Sequence, residues 1–172
     1  MQLCIANTEQ QWSLAGQFND EAALTQWGGE GFRFPPRRAE FLQRLLLPDT
    51  QSYVLLDSNQ NMLAFGQICD RFNRLHLARL IVLPPYRGQH LSEHLINALL
   101  AAGLQLWPTR EASLYVFRNN QPALRSYLRL GFSEATQPGT YRSDLYFMTL
   151  SNPASRMLAA KTPVIVTAKG VL

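Results

Sequence analysis

Cysteine is scarce: Cys4 and Cys69 are the only two in 172 residues, and no CxxC spacing occurs. That argues against a disulfide-stapled secreted scaffold and makes a reducing, cytoplasmic compartment the expectation. No apolar run approaches the ~20 residues that cross a bilayer, and the first residues show no basic stretch leading into an apolar one, so no membrane partner is expected. Charge is sparse too, at 16% of residues with a net of +4, and no basic block is longer than the pair Arg37-Arg38. Such a balance permits an anionic small ligand and argues only weakly for nucleic acid. Repeats and low-complexity stretches are absent. What is abundant is apolar surface, 47% of the chain, enough for the core of one domain.

The pattern along the chain predicts a mixed α/β (α+β) fold. Gln2 to Ala6 is a short strand, and Thr8 with Gln11 has capping-box spacing ahead of a helix carrying Trp12, Leu14, Ala15 and Phe18. Gly28, Gly29 and Gly31 break any helix, and Pro35-Pro36 keeps the chain extended before a second helix from about Arg37 to Leu47. Ser52–Leu56 and Met62–Asp70 form a hairpin about Asp57-Ser58-Asn59-Gln60-Asn61, and a third strand runs from Leu75 to Leu83. The strongest helix follows Arg87-Gly88, with Leu91, Leu95, Ile96, Leu99 and Leu100 on one face and Gly103 as its expected stop. A strand at Ala112–Phe117, a helix at Pro122–Leu130 and closing strands to Leu150 complete a sheet covered by helices. Residues 1–150 make one domain. The extension 151–172 carries a β-branched run, Pro163 to Thr167, for which three uses stay open: an edge strand here, an edge strand on a second subunit in a homodimer, or a frayed end.

Chemistry concentrates where the third strand turns into the long helix. The first N–H groups of a helix lack intrahelical partners and its dipole favours negative charge, so this junction suits a phosphate, with Arg87 as a cation and Gly88 allowing close backbone approach. Taken alone, the turn fits an ordinary connection with a surface arginine better than it fits a phosphate site. Two spacings go further. Val82-x-Pro84-x-x-Arg87-Gly88-x-x-Leu91 resembles the acetyl-CoA motif of the GNAT superfamily of N-acetyltransferases. Asn120-x-x-Ala123-x-x-x-Tyr127-x-x-x-Gly131-Phe132 resembles that family's second signature, after a strand and at the right distance. The family's turn reads Gln/Arg-x-x-Gly-x-Gly/Ala, and here His90 and Ser92 replace the small residues. His90 brings a ring to a place where backbone meets pyrophosphate.

The resemblance implies a mixed sheet with helices on both faces and a splayed central strand pair. It implies acetyl-CoA as co-substrate, no metal, and transfer to a primary amine of a small molecule or peptide in a ternary complex. It assigns pyrophosphate binding to Arg87, Gly88 and the N–H groups of Gln89, His90, Leu91 and Ser92. Leu80, Ile81 and Val82 would pair with the pantetheine arm, with Asn120 and Ala123 beside it. Tyr127 would protonate the departing thiolate, a suitable task for a phenol that still holds its proton at pH 7. His76 occupies the place where many members carry a glutamate, as a base that titrates near neutrality or as a satisfied structural histidine. Arg79, three positions on, is expected on the opposite strand face. Trp27, Phe32 and Phe34 would wall the acceptor pocket, or else pack the early helices onto the sheet. Glu30 and Glu40 are near, yet no acidic cluster marks a polyamine site.

Three other readings fit parts of the chain. His90-Leu91-Ser92-Glu93-His94 matches the H-x-x-E-H zinc pattern but supplies two ligands only. A basic nucleic-acid module would need its arginines along one face. A degenerate sensor would bind CoA without chemistry.

Overall fold

Every second residue of the central strands points to one of two separate cores, and that alternation organises the molecule. The computed structural model describes residues 1–108, 110–154 and 166–167. The strands are β1 (Gln2–Ile5), β2 (Thr50–Leu56), β3 (Met62–Arg71), β4 (Arg74–Val82), β5 (Ala112–Phe117), β6 (Ser133–Ala135), β7 (Leu145–Leu150) and β8 (Val166–Thr167). They form one sheet in the order β6-β7-β5-β4-β3-β2-β1-β8. Neighbours are antiparallel except β4–β5 and β1–β8, which run parallel. A parallel pair needs a crossover, here the long helix α4 (Leu91–Leu106).

On one face, α4 and α5 (Gln121–Arg129) cover a core that includes Tyr53, Leu55, Ala64, Ile68, Leu75, Leu77, Leu114 and Val116. On the other, α1 (Thr8–Ser13), α2 (Glu21–Gly28) and α3 (Arg38–Leu45) cover Val54, Leu56 and Phe65 with Leu14, Phe18, Leu24, Phe32 and Phe41. Each buried leucine or phenylalanine contributes roughly 1.5–3 kcal/mol, so both faces are firmly held.

Three local expectations need correction. The first helix is capped one residue earlier than predicted: Asn7 Oδ1 accepts from the Gln10 N–H at 2.8 Å and Gln10 Oε1 accepts from the Asn7 N–H at 3.0 Å. The predicted early helix is broken, ending in a 3₁₀ turn at Leu14–Gln17, and a separate helix, α2, follows Asp20, whose carboxylate caps the Ala23 N–H. Only Leu24 and Gly28 of α2 are buried, too few for a visible periodicity. Gly103 does not stop α4. The helix continues to Leu106, and the glycine is there because Leu75 packs against it.

Candidate active site

The parallel strands β4 and β5 pair only through Leu75↔Ala112, His76↔Ser113 and Leu77↔Leu114. Beyond that point both continue, to Val82 and Phe117, without pairing. A bulge in β4 accompanies the divergence. Against β3 the register steps from Gln67↔Ala78 to Phe65↔Ile81, leaving one extra residue, and Arg79 takes a left-handed conformation with φ of 49°. The extra residue resets the alternation. Leu80 enters the α4 core, while the Arg79 side chain reaches Gln67 and lies 5.5 Å from the Phe32 ring. Arg79 therefore shares a face with His76, contrary to the unbroken alternation assumed from sequence.

Left-handed backbone costs a non-glycine residue about 1–2 kcal/mol. Three hydrogen bonds offset it. Trp27 Nε1 donates to the Arg79 carbonyl at 2.9 Å, Arg79 Nε donates to the Gly28 carbonyl at 3.1 Å, and Arg79 Nη1 donates to Gln67 Oε1 at 2.6 Å. The two guanidinium bonds are of the charged kind, worth about 1.5–3 kcal/mol each. Gln67 is fully buried and is itself held by the Leu45 carbonyl and Ser52 Oγ. Helix α2 thus pins the bulge from one face of the sheet.

The divergence opens a cleft of about 980 Å³. Its walls come from both faces: Leu91, Ser92, Leu95 and Ile96 of α4 and Ala123, Ser126 and Tyr127 of α5 on one side, Asp20, Ala23 and Trp27 at α2 on the other. The cleft therefore passes between β4 and β5 through the plane of the sheet.

At the α4 end, a 3₁₀ turn at Pro84–Tyr86 leads into Gly88 with φ of 79° and His90 with φ of 56°. A Cβ added at Gly88 would meet nothing within 4 Å, so the glycine serves its backbone angle and not a tight contact. His90 is the N-cap residue and makes no side-chain cap, which leaves the first amides of a sixteen-residue helix facing the cleft mouth. Its ring does not plug the crevice. The side chain is 74% exposed, with Nδ1 3.7 Å from the Glu93 carboxylate. Glu93 in turn is ion-paired with Arg129 of α5 at 2.8 Å, which holds its carboxyl below the usual range. Ser92 also turns aside, its hydroxyl 3.0 Å from that of Ser126. Both residues that replace small ones in the turn leave the amides accessible. Arg87 folds back, Nε donating to the Val82 carbonyl at 3.2 Å.

Tyr127 sits in the wall of the cleft and is 8% exposed; burial pushes its phenol up to about 12, so it holds its proton throughout the neutral range. Asn120 caps α5, its Oδ1 accepting from the Ala123 N–H at 3.3 Å.

The acetyltransferase (GNAT) family model matches residues 18–132, which span both the bulge and the amide-lined turn. The chain belongs to that family. No curated protein matches the sequence significantly. Among solved structures it is similar to a Vibrio cholerae spermidine N-acetyltransferase in complex with CoA and spermine, at TM-score 0.68 and 17% identity over 86% of this chain and 93% of that one. A SpeG–hSSAT chimera of the same enzyme matches at TM-score 0.68 and 14% identity, over 92% and 98% of the two chains. A dodecameric form in an intermediate state matches at TM-score 0.65 and 15% identity, over 89% and 94%. At such identities the likeness is one of fold.

The acetyltransferase cleft gathers most of the residues singled out from sequence: Leu80, Ile81, Val82, Arg87, Gly88, His90, Leu91, Ser92, Asn120, Ala123, Tyr127 and Trp27 all line it. Gln89 does not. Phe32 and Phe34 do not either; Phe32 is core, 5% exposed and edge-on to Phe41 at 5.3 Å, while Phe34 is a surface residue. Sequence reasoning missed Phe18 and Asp20 at the start of α2 and Tyr115 and Phe117 on β5. Asp20 as a helix cap was a legible signal, and the alternation of β5 would have put Tyr115 and Phe117 on one face.

His76 is also outside the cleft. It is 3% exposed, its Nδ1 lies 2.9 Å from Ser113 Oγ, and its ring meets Phe72 and Tyr115 edge-on. Burial, with a smaller contribution from Arg71, lowers its pKa from 6.5 to about 3. Packed between Phe72 and Tyr115 and off the cleft wall, the ring is not placed against an acceptor amine. The shift has a consequence for stability. The unfolded chain binds a proton at this residue below about pH 6.5 and the folded chain does not until about pH 3. Stability attributable to His76 is thus complete above pH 6.5 and falls by about 1.4 kcal/mol per pH unit as acid is added. Denaturant titrations from pH 7 to 5 should show a shallower acid slope in His76→Asn, by close to one proton. An unchanged slope would mean that the ring is hydrated.

Among the described residues, no group of three His, Cys, Asp or Glu side chains could hold a metal ion. No described helix is long and apolar enough to cross a membrane.

Proposed function

We propose that the protein transfers an acetyl group from acetyl-CoA to a primary amine of a small molecule, with both substrates bound at once. The observation that carries this reading is the cleft through the sheet. A donor entering from the α4 side meets free helix amides suited to its pyrophosphate, and the unpaired edge of β4 from Leu80 to Val82 suits the amide groups of its pantetheine arm. An acceptor entering from the α2 side meets the thioester where the strands part.

In the reaction, the neutral amine nitrogen attacks the thioester carbonyl carbon and the C–S bond breaks. Tyr127 gives its phenolic proton to the departing sulfur, and the new amide nitrogen releases a proton to water, from which the phenolate regains one. A phenol at about 12 is a weak acid. The thiolate forms in the same dehydrated crevice, however, and burial raises its basicity for the same reason. Among the described residues, Asp20 is the one carboxylate and His90 the one imidazole lining the cleft, and His90 stands at the anion end. Deprotonation of the amine is thus left mainly to solvent.

Acetyl-CoA should raise the melting temperature through preferential binding to the folded state, by about 2.7 kcal/mol of stabilisation at a hundredfold excess over Kd. Thermal unfolding with and without millimolar acetyl-CoA checks this, and the absence of any shift would remove the donor.

A further inference from the structure

On the basis of that reading, we infer that the acceptor is a monoamine carrying an aromatic or apolar body, and not a polyamine. The acceptor end of the cleft lies on the α2 face, where Phe18 and Trp27 stand on one side and Tyr115 and Phe117 on the other. Trp27 is held rigidly. Its ring centroid is 4.9 Å from that of Phe18 and stacks on Phe41 at 6.1 Å, and its indole N–H is bound to the Arg79 carbonyl. A preorganised aromatic wall of this kind binds a flat or apolar body without ordering cost.

Charge decides against polyamines. Among the described residues Asp20 is the single carboxylate lining the cleft, and the acceptor half also carries the cation Arg79. One Asp20 oxygen already accepts from the Ala23 N–H at 2.7 Å, and its single negative charge balances one ammonium. Glu30 and Glu40, the acids of the neighbouring connection, do not line the cleft and are paired with Arg142 and Arg37 at 3.5 and 3.8 Å. A triamine would bring two further ammonium groups beside Arg79 with no carboxylate to meet them. The fold neighbours that act on spermidine therefore share this architecture without, on our inference, sharing the acceptor.

The test compares kcat/KM for 2-phenylethylamine and spermidine at saturating acetyl-CoA, in the full chain. At least a ~10-fold preference for phenylethylamine is expected. Asn caps a helix as well as Asp does, so Asp20→Asn keeps the α2 cap and removes only the charge. It should raise the phenylethylamine KM about tenfold, with kcat and the acetyl-CoA melting shift unchanged. Equal or better turnover of spermidine, an unmoved KM in Asp20→Asn, or no transfer to either amine while the melting shift persists would overturn the inference and leave acetyl-CoA binding standing. Loss of the melting shift itself would instead remove the donor reading, and this inference with it.

Discussion

Replacing Tyr127 by phenylalanine is expected to lower kcat about 100-fold, with the acetyl-CoA melting shift retained. A positioned general acid contributes roughly 10²–10⁴-fold, and 100-fold corresponds to about 2.7 kcal/mol of transition-state stabilisation. The ring stays, so its contacts with the cleft wall and with Phe132, 6.2 Å away between centroids, survive. Because the hydroxyl's proton matters only as the thiolate leaves, the loss should fall on kcat and not on acetyl-CoA affinity. Steady-state kinetics beside thermal unfolding separates the two. Unchanged turnover would show that the thiolate leaves unprotonated or takes its proton from water. In the unmodified enzyme kcat/KM should climb tenfold per pH unit up to the amine's own pKa, since no strong protein base faces the site; a plateau near neutrality would expose one.

The second large effect is on folding. Gly103→Val should cost about 3 kcal/mol, the upper range for overpacking, and lower Tm by roughly 6–12 °C for a domain of this size. A Cβ at this position would come within 2.4 Å of both δ carbons of Leu75. Those carbons have nowhere to go: Leu75 is fully buried, its amide donates to the Glu111 carbonyl at 2.9 Å, and it pairs with Ala112 in the short β4–β5 ladder. Even Gly103→Ala, which gains about 1 kcal/mol of helix propensity, must displace that side chain. A Tm within about 2 °C of the parent would show that α4 can retreat from the sheet. Since Leu75 to Leu77 is the only stretch joining β4 to β5, the same substitution should also loosen the fixed end of the cleft.

The long amphipathic helix, the turn before it and the Asn120–Tyr127 spacing were readable because each depends on neighbours a few residues away. The apolar face of α4 is a matter of helical period, and Tyr127 follows its cap by seven positions on one helix. The acceptor end was not readable in the same way. Phe32 looked as fit as Trp27 to wall a pocket, and it is the packing of α2 and α3 that sends one ring to the cleft and the other to the core. His76 stood at a place that invited a catalytic role, and only its neighbours Phe72, Ser113 and Tyr115 show that water and substrate do not reach it.

The sequence by itself determined most of the element order, the helix whose first amides lie at the cleft mouth and the phenol in the cleft wall, because periodicity, turn residues and caps act locally. The tertiary structure alone decided how the parted central strands are held, that Arg79 changes face and that Asp20 is the carboxylate lining the cleft. The bulge rests on a hydrogen bond that Trp27 donates to the Arg79 carbonyl and one that Arg79 donates to the Gly28 carbonyl, across about fifty positions of chain. No local propensity encodes a contact of that span; it exists only once two faces of a sheet have been packed.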